Sequence, residues 1–202
     1  MRISSSLIPS IVISLLVMGK RTVAQDAQAW TGTCQITFSG KSTLHPFSGT
    51  VNAEPFSVSI TNPSDPTKAT ARSRVLARAS KLNTGNTKRD KKMHQVLAVN
   101  SFTDIIVDIG TLTAAATKPG TGGKVLQPTI VPFSLTIRDQ TKKIVGQVSD
   151  WIYADNKISF RVKFPISLTA FGIKPPSVVG IIKVDDTILI GADLILMRKE
   201  MQ

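Results

Sequence analysis

Asp90 and His94 stand four residues apart in TKRDKKMHQVL, one turn apart on a helix, and an acid beside an imidazole is the pairing a general base needs. Nothing in the surrounding sequence completes such a site. The segment holds no recognisable nucleophile or third orienting group, and the chain has no G-x-S-x-G, H-E-x-x-H or C-x-x-C. His45 and His94 are too far apart to form a local metal motif, and with Cys34 they would meet only through folding. The sequence thus predicts no catalytic residue, no metal site and no cofactor, and it reads Asp90 and His94 as a surface pair on a short helix. Cys34 is the single cysteine, so no internal disulfide forms. Its place in an alternating segment marks it as a small buried apolar residue rather than a reactive thiol.

The helix interrupts a chain that otherwise alternates like strands. From Ser80 to Leu97 the order is a turn at Asn83-Thr84-Gly85, a cap at Asn86 or Thr87, a basic run with one acid, and an apolar pair at Val96 and Leu97. Asp90 sits near the positive end of the helix dipole, and Met93, Val96 and Leu97 share one face at i, i+3, i+4. That face is expected to cover a barrel opening as part of a gate, with Arg89, Lys91 and Lys92 turned toward headgroups or water.

The elements around it have a period of two. Trp30, Cys34, Ile36 and Phe38 fall on one parity against Thr31, Thr33, Gln35 and Thr37; Thr50 to Ile60 reads as a second extended segment. Asn62-Pro63-Ser64-Asp65-Pro66 is a surface turn. Ala71, Ser73, Val75, Ala77 and Ala79 then oppose Arg72, Arg74, Leu76 and Arg78, giving a small inner face and a basic outer one. Ile105, Val107 and Ile109 follow, then a loop from Lys118 to Lys124, then Val131, Phe133, Leu135 and Ile137. Ile158, Phe160, Val162 and Phe164 alternate next, and Ile188 to Leu196 close the chain. Between the last two, Gly172, Pro175, Pro176 and Gly180 break the pattern in a loop whose apolar content suits a second cover. An uninterrupted run of hairpins predicts an all-β fold, a sandwich or an up-and-down barrel.

At 202 residues the chain suits one domain. Met1 to Ala29 reads as an export leader: Arg2, an apolar run from Leu7 to Met18, and an A-x-A at Ala27-Gln28-Ala29, with Thr22-Val23-Ala24 as a competing cleavage site. The domain then spans residues 30–202, and the protein is expected to be periplasmic or secreted. Losing Arg2, Lys20, Arg21 and Asp26 takes the formal charge from +12 to about +10, so transient contact with an anionic membrane surface is expected. Nucleic acid is not, because the few aromatics sit in strand-like apolar positions rather than among the basic residues.

GKSTLHPFSG at Gly40 to Gly49, KLNTGNTKRDKKMHQVL at Lys81 to Leu97, FPISLTAFGIKPPS at Phe164 to Ser177 and the closing VDDTILIGADLIL together resemble the YceI-like family, in order and across nearly all of the mature chain. The resemblance implies an antiparallel lipocalin-like β-barrel of about eight strands with one short helix. It also implies an exported protein that holds a long-chain lipid, isoprenoid or amide inside the barrel. Many members carry a different polar pattern where this chain has Leu44-His45-Pro46-Phe47, so ligand identity does not transfer. On that implication the ligand contacts would be Ile36 and Phe38, His45 and Phe47, and Val75 and Ala77. Met93 and Leu97 on the helix, Phe133, Leu135, Phe160, Val162 and Phe164 on the hairpins, Phe171 and Ile181 in the loop, and Leu194 at the end complete the set. The alternative is a structural or stress-response barrel with a core filled by side chains. Oligomeric state is left open.

Overall fold

The computed structural model describes residues 27–61, 70–113, 117–119, 126–154, 156–178 and 182–199. The first strands are β1 (Ala27–Gly40), β2 (Phe47–Asn52), β3 (Phe56–Thr61) and β4 (Thr70–Arg78), followed by a helix, α1 (Thr87–Leu97). After it come β5 (Asp104–Thr113), the short β6 (Thr117–Pro119) and β7 (Leu126–Pro128), then β8 (Ile130–Ile137), β9 (Gln140–Ala154) and β10 (Lys157–Ser167). The two-residue strands β11 (Ser177–Val178) and β12 (Ile182–Lys183) pair within the late loop, and β13 (Thr187–Arg198) ends the fold.

Antiparallel neighbours run β13-β10-β9-β8-β5-β4-β3-β1, and β13 returns to β1 from Trp30↔Arg198 to Ser39↔Leu189. The expected lipocalin-like barrel is therefore closed. The stretch expected as one segment from Thr50 to Ile60 is instead split. β2 pairs the end of β1 nearer α1 and β3 its other end, so the two count as one staggered strand of eight. Pro55 explains the break, since it has no N–H for the ladder; Ala53 N–H donates to the Cys34 carbonyl at 2.9 Å and Glu54 N–H to Leu76 at 2.8 Å across the gap. Lys118 and Pro119, expected in a loop, belong to β6 and pair with Gln127 and Leu126. Prolines at the outer ends of that ladder, Pro119 and Pro128, leave its pairing intact. The turn expected at residues 62–66 lies outside the described residues.

Alternation sorts the side chains as the period of two requires. Outward on β4, Arg74 meets Asp108 of β5 at 3.5 Å, and Arg78 meets Asp104 at 2.7 Å and Glu54 at 3.3 Å, so part of the basic outer face is neutralised by its neighbours. Inward, two apolar clusters divide the barrel. The cluster nearer α1 contains Phe38, Leu135, Ile137, Phe164 and Ile188; the distal one contains Trp30, Cys34, Phe56, Val58, Val75, Ile158 and Leu196. Cys34 is buried, as expected, and burial, with Asp193 adding to it, pushes its thiol up to about 12.

Two inward rings depend on glycine across the strand. Phe38 lies over its partner Gly49 and Phe56 over its partner Gly32, where any Cβ would collide with the ring. Gly49→Val should therefore lose about 1–3 kcal/mol by overpacking, read as a lower thermal midpoint. Thr50→Val, exposed one residue on, should change stability by less than about 0.5 kcal/mol.

Candidate functional site

The half of the barrel nearer α1 encloses a cavity of about 510 Å³, within the roughly 300–1,000 Å³ usual for small-molecule sites. Its wall is made by the inward residues closest to that end of each strand, such as Phe38 and Ile36 on β1, Ile137 and Leu135 on β8, and Ile188 and Ile190 on β13. Two covers close over them.

α1 is the first cover, and its N-terminus is built locally. The Asn86 side-chain oxygen accepts the Arg89 N–H at 3.0 Å. Asp90 accepts from the Thr84 N–H at 2.9 Å and from its hydroxyl at 2.6 Å, tying the first turn to the preceding loop. His94 Nε2 lies 2.9 Å from the Leu82 carbonyl. The pair expected between Asp90 and His94 therefore does not form: each is taken by backbone or hydroxyl on the approach to the helix, and neither faces a reactive group.

Met93, Val96 and Leu97 face the cavity as the periodicity predicts. Arg89 and Lys92, expected to point away, also line it, together with Lys88. The reason lies in the same helical stripe: Arg89, Lys92, Met93, Val96 and Leu97 are spaced i, i+3, i+4, i+7, i+8. Long basic stems cover apolar surface while their charged ends stay in water. The exposed lining residues Leu44, His45, Asn86, Lys88, Arg89 and Lys92 place the mouth between the β1–β2 loop and the first half of α1. Arg89 spans it, its guanidinium 5.5 Å from the centre of the Phe47 ring.

The loop from Leu168 to Asp186 is the second cover. A 3-10 turn at Thr169–Phe171 buries Phe171 to 1% exposure, and Ile173 follows at 2%. Asp186 fastens the loop by accepting the Ser167 hydroxyl at 2.5 Å and the Thr169 N–H at 2.8 Å, and these bonds hold its carboxyl below the usual range. Arg138, left-handed at φ 56°, donates to the Gly172 carbonyl at 3.2 Å while its guanidinium lies over Phe102, just beyond α1. One side chain thus joins the loop to the segment that follows α1.

Of the residues expected at the ligand, Ile36, Phe38, His45, Phe47, Ala77, Met93, Leu97, Leu135 and Phe164 line the cavity. Val75 instead belongs to the distal cluster, and Phe160 packs on Trp151 with ring centroids 5.0 Å apart. Leu194 is packed against both clusters below the cavity. Phe133 meets Phe164 edge-on at 5.0 Å, with Val162 in the same buried cluster, and Phe171 is core beneath the loop. Ile181 lies outside the described residues. Parity alone marks a residue as inward, but not how far down the barrel it falls. Leu82, Ile105, Ile166, Ile173, Ile188 and the three basic helix residues line the cavity without having been expected at the ligand; parity had already put Ile105 and Ile188 on apolar faces, and helical spacing from Met93 was the signal for Arg89.

A family model for the YceI-like domain matches residues 29–196. The chain belongs to the YceI-like family. In fold it is similar to BcnA of Burkholderia cenocepacia, at 14% identity and a TM-score of 0.56 over 80% of this chain and 95% of that one. It is also similar to a polyisoprenoid binding domain from Saccharophagus degradans implicated in plant cell wall breakdown, at 13% identity and a TM-score of 0.54 over 85% and 99% of the two chains. No curated protein matches it. In this chain the YceI-like fold carries a roofed cavity whose mouth is basic and whose wall is apolar.

The Asp186 latch carries a signed pH dependence. Because its folded pKa is depressed, its stabilisation is complete above the unfolded value, about 3.9, and is lost as pH falls through the lower folded value. Thermal midpoints of wild type and Asp186→Asn should differ at neutral pH and converge in acid; a constant difference across that range would contradict the latch.

Proposed function

We propose that this YceI-like protein is an exported carrier or store for a long-chain apolar molecule with an acidic headgroup, the chain in the barrel and the headgroup at the mouth. One observation carries the reading: the cavity wall is Ile, Leu, Val and Phe, its mouth holds Lys88, Arg89 and Lys92, and no carboxylate is among the described residues that line it. An apolar chain gains roughly 25 cal/mol for each Å² removed from water, and the cations favour a negative end. His45 stands at the same rim and can donate a further hydrogen bond. The fold relative from Saccharophagus degradans is a polyisoprenoid binding domain, and a branched isoprenoid suits a wall rich in branched side chains.

Loading is proposed to occur at an anionic membrane surface, where the three cations and Leu44, 57% exposed beside them, would make contact. Export follows from the leader. β1 starts at Ala27, and the Ala29 carbonyl accepts from Lys199 at 2.9 Å. Cleavage after Ala24 keeps that ladder whole; cleavage after Ala29 removes its first three pairs with β3. The alternative, a structural barrel wholly filled by side chains, suits the distal half but not a half holding about 510 Å³.

Mass spectrometry of protein purified from its native host tests both parts: a reproducible acidic lipid should co-purify and the intact chain should begin at Gln25, whereas a barrel found repeatedly empty would sink the carrier. Arg89→Gln with Lys92→Gln should weaken binding of an acidic-headed chain roughly ten-fold, about 1.4 kcal/mol, and leave the neutral alcohol of the same chain unaffected.

A further inference from the structure

We propose that the mouth is built for a phosphate ester rather than a carboxylate, so that the molecule carried is a long-chain alkyl or isoprenoid phosphate; the inference rests on the carrier reading above. The polar groups along the mouth are mostly donors. Lys88, Arg89 and Lys92 line it from α1 with the Asn86 amide beside them, and His45 lines it from the β1–β2 loop. Ser42 fixes that loop, its N–H and hydroxyl donating to the His45 carbonyl at 3.2 and 2.8 Å. The nearby side-chain acceptors are already engaged. Asn86 Oδ1 takes the Arg89 N–H at 3.0 Å, the Ser42 hydroxyl takes the His45 N–H at 3.3 Å, and the Thr84 hydroxyl is given to Asp90. An alcohol or amide headgroup brings hydrogens of its own and meets donors with a donor. An ionised headgroup brings only acceptors.

Charge separates a phosphate from a carboxylate. Asp90 is the only acid of α1, and its carboxylate is held by the N–H and hydroxyl of Thr84. Among the described residues no carboxylate pairs with Lys88, Arg89 or Lys92. Yet Lys92 stands four residues from Lys88 and three from Arg89, so the three cations are neighbours on the helix surface and repel one another. Arg89 rests its guanidinium over the Phe47 ring, a contact that uses none of its N–H groups as hydrogen-bond donors to oxygen. That fork alone answers a carboxylate, two N–H groups to two oxygens. Both lysines then stay uncompensated. A phosphate monoester has three terminal oxygens and about 1.5–2 negative charges at neutral pH. It can take the Arg89 fork and both ammonium groups, and its charge offsets the repulsion along the helix that a single carboxylate leaves in place.

The measurement is displacement of a fluorescent fatty acid by three probes that share one chain, farnesyl phosphate, farnesoic acid and farnesol, with inorganic phosphate as a fourth, at about pH 8. Farnesyl phosphate should bind about ten-fold tighter than farnesoic acid, farnesol should bind more weakly than either, and inorganic phosphate should displace nothing. Lys88→Gln should weaken the phosphate about ten-fold and the acid no more than about three-fold. Lys91→Gln, exposed on the same helix but outside the cavity lining, should change each probe by less than about two-fold. Farnesoic acid binding as tightly as farnesyl phosphate, or Lys88→Gln weakening the two alike, overturns the phosphate and leaves the carrier of an acidic chain standing. Displacement by inorganic phosphate alone overturns it as well, because the mouth then takes the free ion without a chain. Farnesol binding as tightly as the other two overturns the acidic headgroup and the phosphate with it. No displacement by any of the three overturns the carrier itself.

Discussion

Closure of β13 onto β1 is the constraint on which everything else in this barrel depends. The ladder from Trp30↔Arg198 to Ser39↔Leu189 joins the ends of the described chain and closes the barrel, leaving β2 as the one strand of the main sheet whose second edge is met only by an isolated bridge, Thr50↔Asn83. Once closed, each strand has one face committed to a small interior. A one-residue slip would turn every inward side chain of that strand out. Register is held where one face is apolar and the other is not, as on β1, where Cys34, Ile36 and Phe38 alternate with Thr33, Gln35 and Thr37. The outward pair of Arg161 with Asp193, two parallel hydrogen bonds at 2.5 and 2.8 Å between partners on β10 and β13, sits on the same closing wall and depresses the Asp193 carboxyl.

A closed interior of eight strands is just wide enough either to be filled or to hold one ligand, and this barrel is filled at one end and keeps a cavity at the other. Trp30, Phe56, Trp151 and Phe160 pack the distal half, helped by Gly32, whose missing Cβ admits the Phe56 ring. The half nearer α1 is walled by branched aliphatic residues and Phe, with Ala77 among them, and keeps its space because two polar-fringed covers roof it.

Much of the barrel was legible in the sequence because the period of two is a local property. Parity placed Ile105, Val107, Leu135 and Phe164 inside, and Asn86 announced the helix cap. The split at Pro55 had a visible signal, a residue that cannot donate to a ladder, which the alternation on either side concealed. The bulge in β9, where the register with β10 slips and Asp150 is left-handed at φ 55°, had none, since Asp rather than Gly takes that conformation, and so Trp151 could not be placed. Depth was equally hidden. Val75 and Ala77 share a face and differ by one layer, which only the stagger of neighbouring strands decides. Arg89 was misplaced by treating charge as a direction, when a long stem follows the helical stripe and only its end seeks water.

The two covers are not equally fixed, and the difference follows from what each buries. The late loop sinks Phe171 and Ile173 into the core, is fastened by both oxygens of Asp186, and receives Arg138 on the Gly172 carbonyl. α1 has no buried residue; its ties are Asp90 to Thr84, His94 to Leu82 and the Arg89 contact with Phe47. Local opening costs least where the fewest apolar groups leave the core, so displacing α1 is cheaper than displacing the loop. The mouth lies at the side of that same helix, between its first turns and the Leu44–Phe47 segment. On the carrier reading, a chain entering there would meet the basic residues before the apolar ones, and its burial against Met93, Val96 and Leu97 would add to the contact those three already make with the core. In physical terms, such a ligand and the cover would stabilise each other, because each would bury apolar surface of the other.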